Sequence, residues 1–322
     1  MIFQQNLMKK IIKNICSTPF KAPWVFRPIE SVLGKMFGGF ILCWHNLPAH
    51  TFRSHIESLH PLKPISLDEL LKRHSEGKST KDYFALTIDD GVESTVDNIS
   101  SICTKMDWPI TFYIPTNYLN GNLLPYQKIE FIDQYLPLEH YLDPSIDKKN
   151  HNKQINKKKL IQSLTNLLYT EHFNVIDKTL DHFIEKILIN KNKKLLHNEY
   201  SRPITWQAIE KLSKNSIISF QSHSVTHTAV SGLNDSEIED EMIRSKNILE
   251  EHTGKKVNSF CYPYGSEKSI GKRAPKIASK HYNSAVTLIR GRLRKNNPFY
   301  LPRIDLYEDD FSSLVRLKVI LS

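Results

Sequence analysis

The chain of 322 residues has few cysteines and no long apolar run. Its four cysteines, Cys16, Cys43, Cys103 and Cys261, are far apart and form no Cys-x-x-Cys pair, so neither a zinc knuckle nor a disulfide scaffold is predicted. No stretch reaches the ~18 consecutive apolar residues of a membrane span. Residues 8–14 also lack the unbroken apolar core of a signal peptide. These absences favour a cytoplasmic protein with reduced thiols.

Acidic residues are fewer than basic residues, and the resulting positive charge limits the classes of molecule that the protein would bind. The chain has 44 Lys and Arg against 34 Asp and Glu, a net charge of +10. Basic surfaces attract nucleic acid, anionic lipid or phosphate-bearing substrates, but no nucleic-acid-binding motif is present, which argues against such a partner. Residues 1–37 are predicted to form a basic, helical arm compatible with peripheral contact to the inner face of a membrane. Solubility alone is the alternative explanation of the charge.

Short apolar runs of strand length alternate with helix-like stretches along most of the chain. Such an alternation predicts parallel strands joined by helices, and one α/β barrel domain over residues 38–322 is the simplest arrangement. Residues 121–200 interrupt the alternation and are predicted to form a helical insertion that either roofs the active site or lies passively at the surface. The predicted strands are 40–44, 84–88, 110–114, 217–220, 259–262 and 284–288.

An aspartate pair follows the second of these strands. Asp89 and Asp90 come directly after the apolar run, and Gly91 permits a turn there. Two adjacent carboxylates repel each other unless a cation or a shared proton compensates. Since neighbouring residues that leave a strand point in different directions, one carboxylate can bind a metal while the other faces an attacking water. An ordinary turn is the alternative interpretation of Asp-Asp-Gly.

A histidine pair follows a later strand. His223 and His227 are four residues apart, a spacing that puts both imidazoles on one face of a helical turn. Two imidazole nitrogens and one carboxylate oxygen, with an open position for water, are a common ligand set for catalytic Zn²⁺ or a similar ion. Such a pair alone is also common at surfaces and in cores. Together with the aspartate pair, it predicts a mononuclear hydrolase site.

These motifs resemble those of the polysaccharide deacetylases, the NodB-homology enzymes of carbohydrate esterase family four. Residues 87–91 (Thr-Ile-Asp-Asp-Gly) are similar to the family's Thr-Phe-Asp-Asp-Gly motif, and residues 222–227 to its Ser-His-Ser/Thr-x-x-His motif. Residues 260–265 are similar to its Arg-x-Pro-Tyr-Gly motif. The resemblance implies a deformed (β/α) barrel of NodB-homology type with a helical insertion, and removal of acetyl groups from sugars.

The resemblance also implies roles for individual residues. Asp90, His223 and His227 would hold one divalent ion, Zn²⁺ in the simplest case, with Co, Ni or Mn as alternatives. Asp89 would be the general base, and the backbone N–H of Tyr264 would bind the oxyanion.

Aromatic and apolar residues near the same motifs are candidates for contact with the sugar. We expect Trp44, Pro263 and Tyr264 to form this surface, although aromatic residues after strands are more often core residues.

The chain departs from the family pattern at two points of the mechanism. Cys261 occupies the position of the motif arginine, so Arg303 is the candidate to orient Asp89, with a surface salt bridge as its alternative role.

The late Leu-x-His motif that supplies the family's general acid is absent. His45 is one substitute, because a histidine titrates near neutral pH, and a structural hydrogen bond is its alternative. Metal-bound water and protonated Asp89 are further candidates.

The sequence therefore predicts a metal-dependent hydrolase that removes an acetyl group from an N-acetylated sugar in bacterial surface polysaccharide or glycolipid assembly. The substrate would be polymeric, nucleotide-linked or lipid-linked, and an O-acetylated sugar is an alternative to the N-acetylated one. A catalytically weak or silent carbohydrate-binding homologue is the first alternative. A phosphatase-like enzyme that uses Mg²⁺ and leaves both histidines idle is the second.

Overall fold

The computed structural model describes residues 39–137, 140–142, 154–189, 202–294 and 297–322. The predicted basic arm over residues 1–37 lies outside these ranges and stays a prediction. Among the helices within the described ranges, none combines the length and the apolar character needed to cross a bilayer.

The described residues form an α/β structure. Its strands are β1 (Phe40–Trp44), β2 (Lys63–Pro64), β3 (Tyr83–Ile88), β4 (Ile110–Ile114), β5 (His140–Leu142), β6 (Gln154–Asn156), β7 (Ile218–Ser222), β8 (Ser259–Cys261), β9 (Ser284–Arg290) and β10 (Leu301–Asp305). Its helices are α1 (Ala49–Glu57), α2 (Leu67–Ser75), α3 (Glu93–Met106), α4 (Pro125–Tyr135), α5 (Lys157–Leu167), α6 (Phe173–Ile189), α7 (Trp206–Leu212), α8 (Asp235–Thr253), α9 (Glu267–Ile270), α10 (Ala274–His281) and α11 (Ser312–Ile320).

Seven parallel strands close into a barrel. Their order is β1-β10-β9-β8-β7-β4-β3, and β1 closes the ring because it also pairs with β3. The short strand β2 adds to the first residues of β3. Helices flank this ring, so the predicted (β/α) barrel is confirmed.

Both faces of the barrel strands are buried, which explains their unbroken apolar runs. Alternate residues of a strand point to opposite faces. Phe40, Leu42 and Trp44 of β1 pack in the large cluster formed with the surrounding helices. Ile41 of the same strand packs in a smaller cluster in the barrel interior. Inward-facing residues of the other strands belong to the same cluster. The residues that this alternation turns inward near the strand ends form the candidate site.

Between β4 and β7 the chain leaves the barrel. It forms α4, α5, α6 and the antiparallel pair β5–β6, and these helices share an apolar cluster of their own. Lys128 on α4 is 7% exposed, and its Nζ lies 2.6 Å from carboxylate oxygens of both Asp177 and Asp181 on α6. The described helices fall in the segment predicted as a helical insertion, while the division of the whole chain into domains stays a prediction.

Candidate metal centre and active site

Polar side chains gather where several barrel strands end. Asp89 and Asp90 follow β3, His223 follows β7, and Tyr264 comes shortly after β8. Arg303 lies within β10, and its side chain is fully buried. Because the carboxyl ends of parallel strands meet at one rim of a barrel, these residues share one site at the rim where catalytic groups usually collect.

The turn after β3 sends its two carboxylates in different directions. Asp90 and Gly91 both have left-handed backbone conformations, with φ of 73° and 71°. Aspartate tolerates this region better than most residues, and glycine adopts it freely. The Asp89 carboxylate points to Arg303, whereas the Asp90 carboxylate points to the histidine pair.

Asp90 faces both histidines of the predicted metal triad. Its Oδ1 atom lies 3.6 Å from His223 Nε2 and 3.3 Å from His227 Nε2. All three side chains are buried, and their ligand atoms lie within 4.8 Å of one another. Within the part of the chain that the structure describes, Asp90 Oδ1 has no hydrogen-bond partner.

This arrangement fits one divalent cation. Two ligand atoms that each form a ~2.1 Å bond to a tetrahedral zinc ion lie about 3.4 Å apart. The distances from Asp90 Oδ1 to the Nε2 atoms of His223 and His227 are close to this value. A buried carboxylate oxygen without a hydrogen-bond partner is costly unless a cation compensates it. Two imidazoles and one carboxylate suit Zn²⁺ and its transition-metal neighbours better than Mg²⁺, which prefers oxygen ligands.

Among the residues that the structure describes, two further groups of potential ligands lie beside this triad. They are Cys43, His45 and Asp89, and Asp89, His223 and Cys261. Asp89 belongs to both groups, but its two carboxylate oxygens are bound by a guanidinium, whose positive charge opposes a cation there. The triad of Asp90, His223 and His227 is therefore the favoured metal centre.

His223 is prepared to act as a neutral ligand. His223 Nδ1 lies 2.8 Å from the Cys261 carbonyl oxygen, so Nδ1–H donates to it and Nε2 is left with its lone pair. Burial, with the charge of His227 added, lowers the pKa of His223 to about 4. His223 is consequently uncharged at neutral pH, as metal binding requires.

A loop rather than a helical turn brings the two histidines together. Ser224 and His227 have left-handed backbones with φ of 65° and 59°, so the expected helical turn over this motif is wrong. Glu241 of α8 holds the loop, because its carboxylate accepts hydrogen bonds from the N–H groups of Val225 and Thr226 at 2.9 and 3.0 Å.

A tyrosine from the insertion holds the metal-facing aspartate. The Tyr126 hydroxyl donates a 2.8 Å hydrogen bond to Asp90 Oδ2, and its ring lies 5.7 Å from the His227 ring. Burial would raise the pKa of Asp90, but its imidazole neighbours hold that pKa well below its usual range. Sequence reasoning missed Tyr126, because it lies on α4 outside every motif.

Replacing Tyr126 with phenylalanine is expected to weaken metal binding by about 10- to 100-fold, the usual cost of losing a hydrogen bond that orients a ligand. The ring contact with His227 would persist. Competition with a chelator of known affinity measures the change. Tyr282→Phe is the matched control, because it removes a buried hydroxyl that donates to the Met242 carbonyl oxygen and not to the triad. Equal metal affinity in both variants would contradict the assigned role.

Arg303 binds the second aspartate with both arms of its guanidinium. Nη1 and Nη2 donate to Asp89 Oδ1 and Oδ2 at 2.8 and 2.7 Å, and Nε donates to the Thr287 carbonyl at 2.8 Å. Arg303 is fully buried and Asp89 is 1% exposed. The contact between Arg303 and Asp89 is therefore a buried ion pair and not a surface salt bridge.

Two thiols complete the surroundings of Asp89. Cys261 Sγ lies 3.4 Å and Cys43 Sγ 3.6 Å from Asp89 Oδ2, and burial raises the pKa of both thiols well above the usual value. Both therefore stay protonated and can donate weak hydrogen bonds. Burial would raise the pKa of Asp89, but the Arg303 guanidinium lowers it to about 2, with help from neighbouring histidines.

The turn after β8 presents Tyr264 to the metal centre. Tyr264 has a left-handed backbone with φ of 60°, and its ring packs 4.9 Å from the His227 ring. Within the described ranges its backbone N–H donates to no acceptor. This amide is thus available for the predicted contact with an oxyanion.

Gly265 makes this turn possible. A β-carbon there would lie 2.3 Å from Leu288 N, at a φ of +51°. We expect Gly265→Ala to destabilise the protein by about 3 kcal/mol, because steric overlap adds to left-handed strain. Gly77→Ala is the control, since Gly77 has a φ of +70° but no atom within 4 Å of the added carbon, and about 1 kcal/mol is expected there. Urea unfolding measures both, and equal losses would refute the packing argument.

A cavity of about 450 Å³ opens over the metal centre. The barrel side contributes the triad, His45, Asp89, Tyr262, Tyr264 and Leu288. The opposite wall comes from the insertion through Tyr126, Ile129, Glu130, Thr165, Leu168 and Tyr169. A separate cavity of about 250 Å³ lies beside Ile110 and Ile218 at the other end of the barrel, away from all predicted site residues.

Two of the three predicted sugar contacts are wrong. Trp44 is fully buried, its Nε1 donates to His55 Nδ1 at 3.2 Å, and its ring packs edge-on against Phe52. Pro263 is also buried and lies outside the cavity lining. Tyr264 lines the cavity, as does Tyr169 of the insertion, a residue that lies outside every motif.

Comparisons with known proteins agree with the barrel fold. The chain shows detectable similarity to no curated protein sequence. Among solved structures, it resembles the deacetylase PplD of Streptococcus pyogenes at 13% identity and a TM-score of 0.56, over 88% of this chain and 97% of that one. It also resembles IcaB of Ammonifex degensii at 14% identity and a TM-score of 0.54, over 88% and 97%.

A third similar structure is BC0361, a polysaccharide deacetylase of Bacillus cereus, at 14% identity and a TM-score of 0.53, over 87% of this chain and 68% of that one. At such identities these likenesses show the fold. The sequence profile named Polysaccharide deacetylase matches residues 76–285, which is most of the chain and includes all three motifs. The chain therefore belongs to the polysaccharide deacetylase family of hydrolases.

Proposed function

We propose that the protein is a metal-dependent deacetylase of an N-acetylated sugar, acting in the assembly of a bacterial surface polysaccharide or glycolipid. The observation that carries this proposal is the unpartnered Asp90 oxygen that faces two imidazole nitrogens, next to an aspartate held by a buried arginine. A metal-binding group and a separate oriented carboxylate are the two parts that hydrolysis of an amide requires.

Asp90, His223 and His227 would hold the ion, with Zn²⁺ favoured and Co, Ni or Mn as alternatives. When bound, such an ion acidifies water and polarises a carbonyl group. Asp89 accepts the proton of the attacking water. Arg303 orients the Asp89 carboxylate for this role, because its guanidinium donates to both carboxylate oxygens. The Tyr264 N–H donates to the oxyanion, an interaction typically worth about 3 to 4 kcal/mol.

The cavity favours a neutral sugar ring next to the acetyl group. Its walls include the aromatic rings of Tyr169, Tyr262 and Tyr264, and such rings pack well against the apolar faces of sugars. Its lining in the described ranges includes carboxylates and imidazoles but no lysine or arginine. Any phosphate of a nucleotide or lipid carrier would therefore lie outside this cavity.

Acetate release across a substrate panel tests the proposal. The panel holds N-acetylated chito-oligomers, a nucleotide-linked N-acetyl sugar, a lipid-linked N-acetyl sugar and an O-acetylated sugar, each assayed with Zn²⁺, Co²⁺, Ni²⁺ or Mn²⁺. Acetate from at least one N-acetyl substrate is expected. Bound metal without acetate release from any of them would instead favour the non-catalytic carbohydrate-binding alternative.

Membrane contact is a separate proposal that depends on the basic composition of residues 1–37. Vesicles that contain anionic lipid should carry the full chain upward in a flotation gradient. Equal recovery of a chain without those residues would exclude this role.

A further inference from the structure

Two helices of the insertion each present three residues to the cavity at helical spacing. Residues at positions i, i+3 and i+4 lie on one face of a helix, so α4 and the C-terminal turn of α5 each turn one face toward the metal centre. The cavity-lining residues are Tyr126, Ile129 and Glu130 from α4, and Thr165, Leu168 and Tyr169 from α5 and the residues that follow it. The insertion therefore supplies one complete wall of the site.

Two tyrosines fix this wall relative to the metal centre. The Tyr126 hydroxyl donates a hydrogen bond to Asp90 Oδ2, and the ring of Tyr169 packs against that of Tyr264 with 5.3 Å between the ring centroids. The wall closes the cavity on the side opposite the metal triad. A substrate whose acetyl group lies at the metal centre would therefore hold its sugar ring against this wall.

Glu130 gives this wall its negative charge. It lies one helical turn after Tyr126 and is exposed where it lines the cavity. Within the part of the chain that the structure describes, its carboxylate forms neither a hydrogen bond nor an ion pair. Partial desolvation, with the charge of Asp90 added, raises the pKa of Glu130. The two carboxylates therefore act on the same space.

Two lysines of this region interact with other groups. Lys128 on the same helix pairs with two aspartates of α6, each at 2.6 Å. Lys268 lies 5.1 Å from the centre of the Tyr169 ring and does not line the cavity. A carboxylate without a cationic partner accepts hydrogen bonds from hydroxyl groups and repels anions. The charge of Glu130 is thus free to act on a bound molecule.

We propose that Glu130 is a specificity-determining residue that accepts hydrogen bonds from free hydroxyl groups of the N-acetyl sugar and excludes sugars that carry a negative charge on the same ring. This inference rests on the proposed deacetylase function and deepens it, because it assigns the choice of substrate to one residue. The hydroxyl of Thr165 on the same wall already donates to the Ile161 carbonyl at 2.8 Å. Specificity of this kind combines an attractive contact with a repulsive one.

Three forms of one substrate separate the two contacts. The neutral N-acetyl sugar that releases most acetate is compared with its O-methyl and O-carboxymethyl ethers at the ring hydroxyl next to the acetamide. Assays at pH 8, more than three units above the ordinary glutamate pKa of ~4.3, keep Glu130 ionised. We expect Glu130→Gln to lower kcat/KM for the free hydroxyl form about tenfold, mainly through KM, because a charge-assisted hydrogen bond is lost. The preference of the native enzyme for the O-methyl over the O-carboxymethyl ether should shrink about tenfold, because the like-charge repulsion is removed.

A matched control separates this role from a general effect of the insertion. Glu185→Gln changes an exposed glutamate of α6 that does not line the cavity, and it should leave all three rates within about twofold of the native values. An equal loss of kcat on all three substrates in Glu130→Gln would assign Glu130 to proton transfer and overturn the inference. Unchanged selectivity between the two ethers would overturn it as well.

Binding of the same sugars distinguishes a failure of this inference from a failure of the proposed function. If the native protein released acetate from no N-acetyl substrate, the proposed function would be refuted. Calorimetric titration of the native protein and Glu130→Gln with the three sugars would then give the same comparison without turnover. Equal affinities of the two proteins for every sugar would exclude Glu130 as the residue that selects among them.

Discussion

Replacing His223 with alanine is expected to remove bound metal and to lower acetate release by at least about 10³-fold. In the proposed site His223 would supply one of three protein ligands, and its Nε2 is directed at Asp90 by the Nδ1 contact with the Cys261 carbonyl. Metal polarisation of the carbonyl contributes several kcal/mol to transition-state stabilisation, and each 1.36 kcal/mol corresponds to a tenfold change in rate. Metal content after dialysis and acetate release measure the two effects.

The control for this experiment is His50→Ala, which removes an exposed imidazole from α1. It should retain native metal content and activity. If His223→Ala also kept both, His223 would not be a ligand of the ion, and this would favour a site built from oxygen ligands. A phosphatase-like Mg²⁺ enzyme would then replace the deacetylase as the favoured function.

The barrel could be predicted from sequence because its strands are apolar on both faces and short enough to be distinct from helices. The proximity of Asp90 to His223 could be predicted for a related reason. Asp90 and His223 each follow such a strand, and parallel strands bring their carboxyl ends to one rim whatever their separation along the chain. Topology, rather than local sequence, makes these distant residues neighbours.

The errors have local physical causes. Trp44 was expected at the cavity, but side chains alternate across a strand, and Trp44 shares the outward face of Phe40 and Leu42 while His45 reaches the cavity. The alternation of side chains along a strand predicts that Trp44 points outward together with Phe40 and Leu42. The helical turn expected for the histidine motif fails because Ser224 and His227 adopt left-handed backbones, which spacing alone does not reveal.

The roof formed by the insertion was one of two predicted alternatives, but the residues that it contributes to the site could not be predicted. Tyr126 donates to Asp90 and Tyr169 lines the cavity, yet both lie in a segment without a recognisable motif. Their positions depend on how α4 and α5 pack in the apolar cluster of the insertion. Such packing is a tertiary property, so a single sequence offers no pattern that marks these residues.

Asp89→Asn is expected to lower acetate release by about 10²- to 10⁴-fold while metal binding persists. Asparagine keeps the shape of the side chain but cannot accept the proton of water, and general base catalysis is typically worth this much. Asp90 and the histidines are unchanged, so metal content should equal that of the native protein. Loss of metal together with activity would show that Asp89 is a ligand rather than the base.

Arg303 is expected to govern both the stability of the site and the proton affinity of Asp89. Removing one partner of a buried ion pair typically costs about 3 to 5 kcal/mol, so Arg303→Met should destabilise the protein by that amount at pH 7. Adding Asp89→Asn to this variant removes the stranded charge. The double variant should therefore recover much of the loss, because the two effects are coupled rather than additive.

The pH dependence distinguishes this coupling from a simple loss of packing. In the native protein the pKa of Asp89 is lowered from 3.8 to about 2, so its contribution to stability is present above pH 3.8 and is lost as the pH falls through 2. Without Arg303, burial raises that pKa instead, and the variant gains stability as Asp89 takes up a proton on acidification. Urea unfolding of both proteins at pH 7 and pH 4 should give a smaller difference at pH 4. A difference independent of pH would mean that Arg303 contributes by packing alone and does not control the charge of the general base.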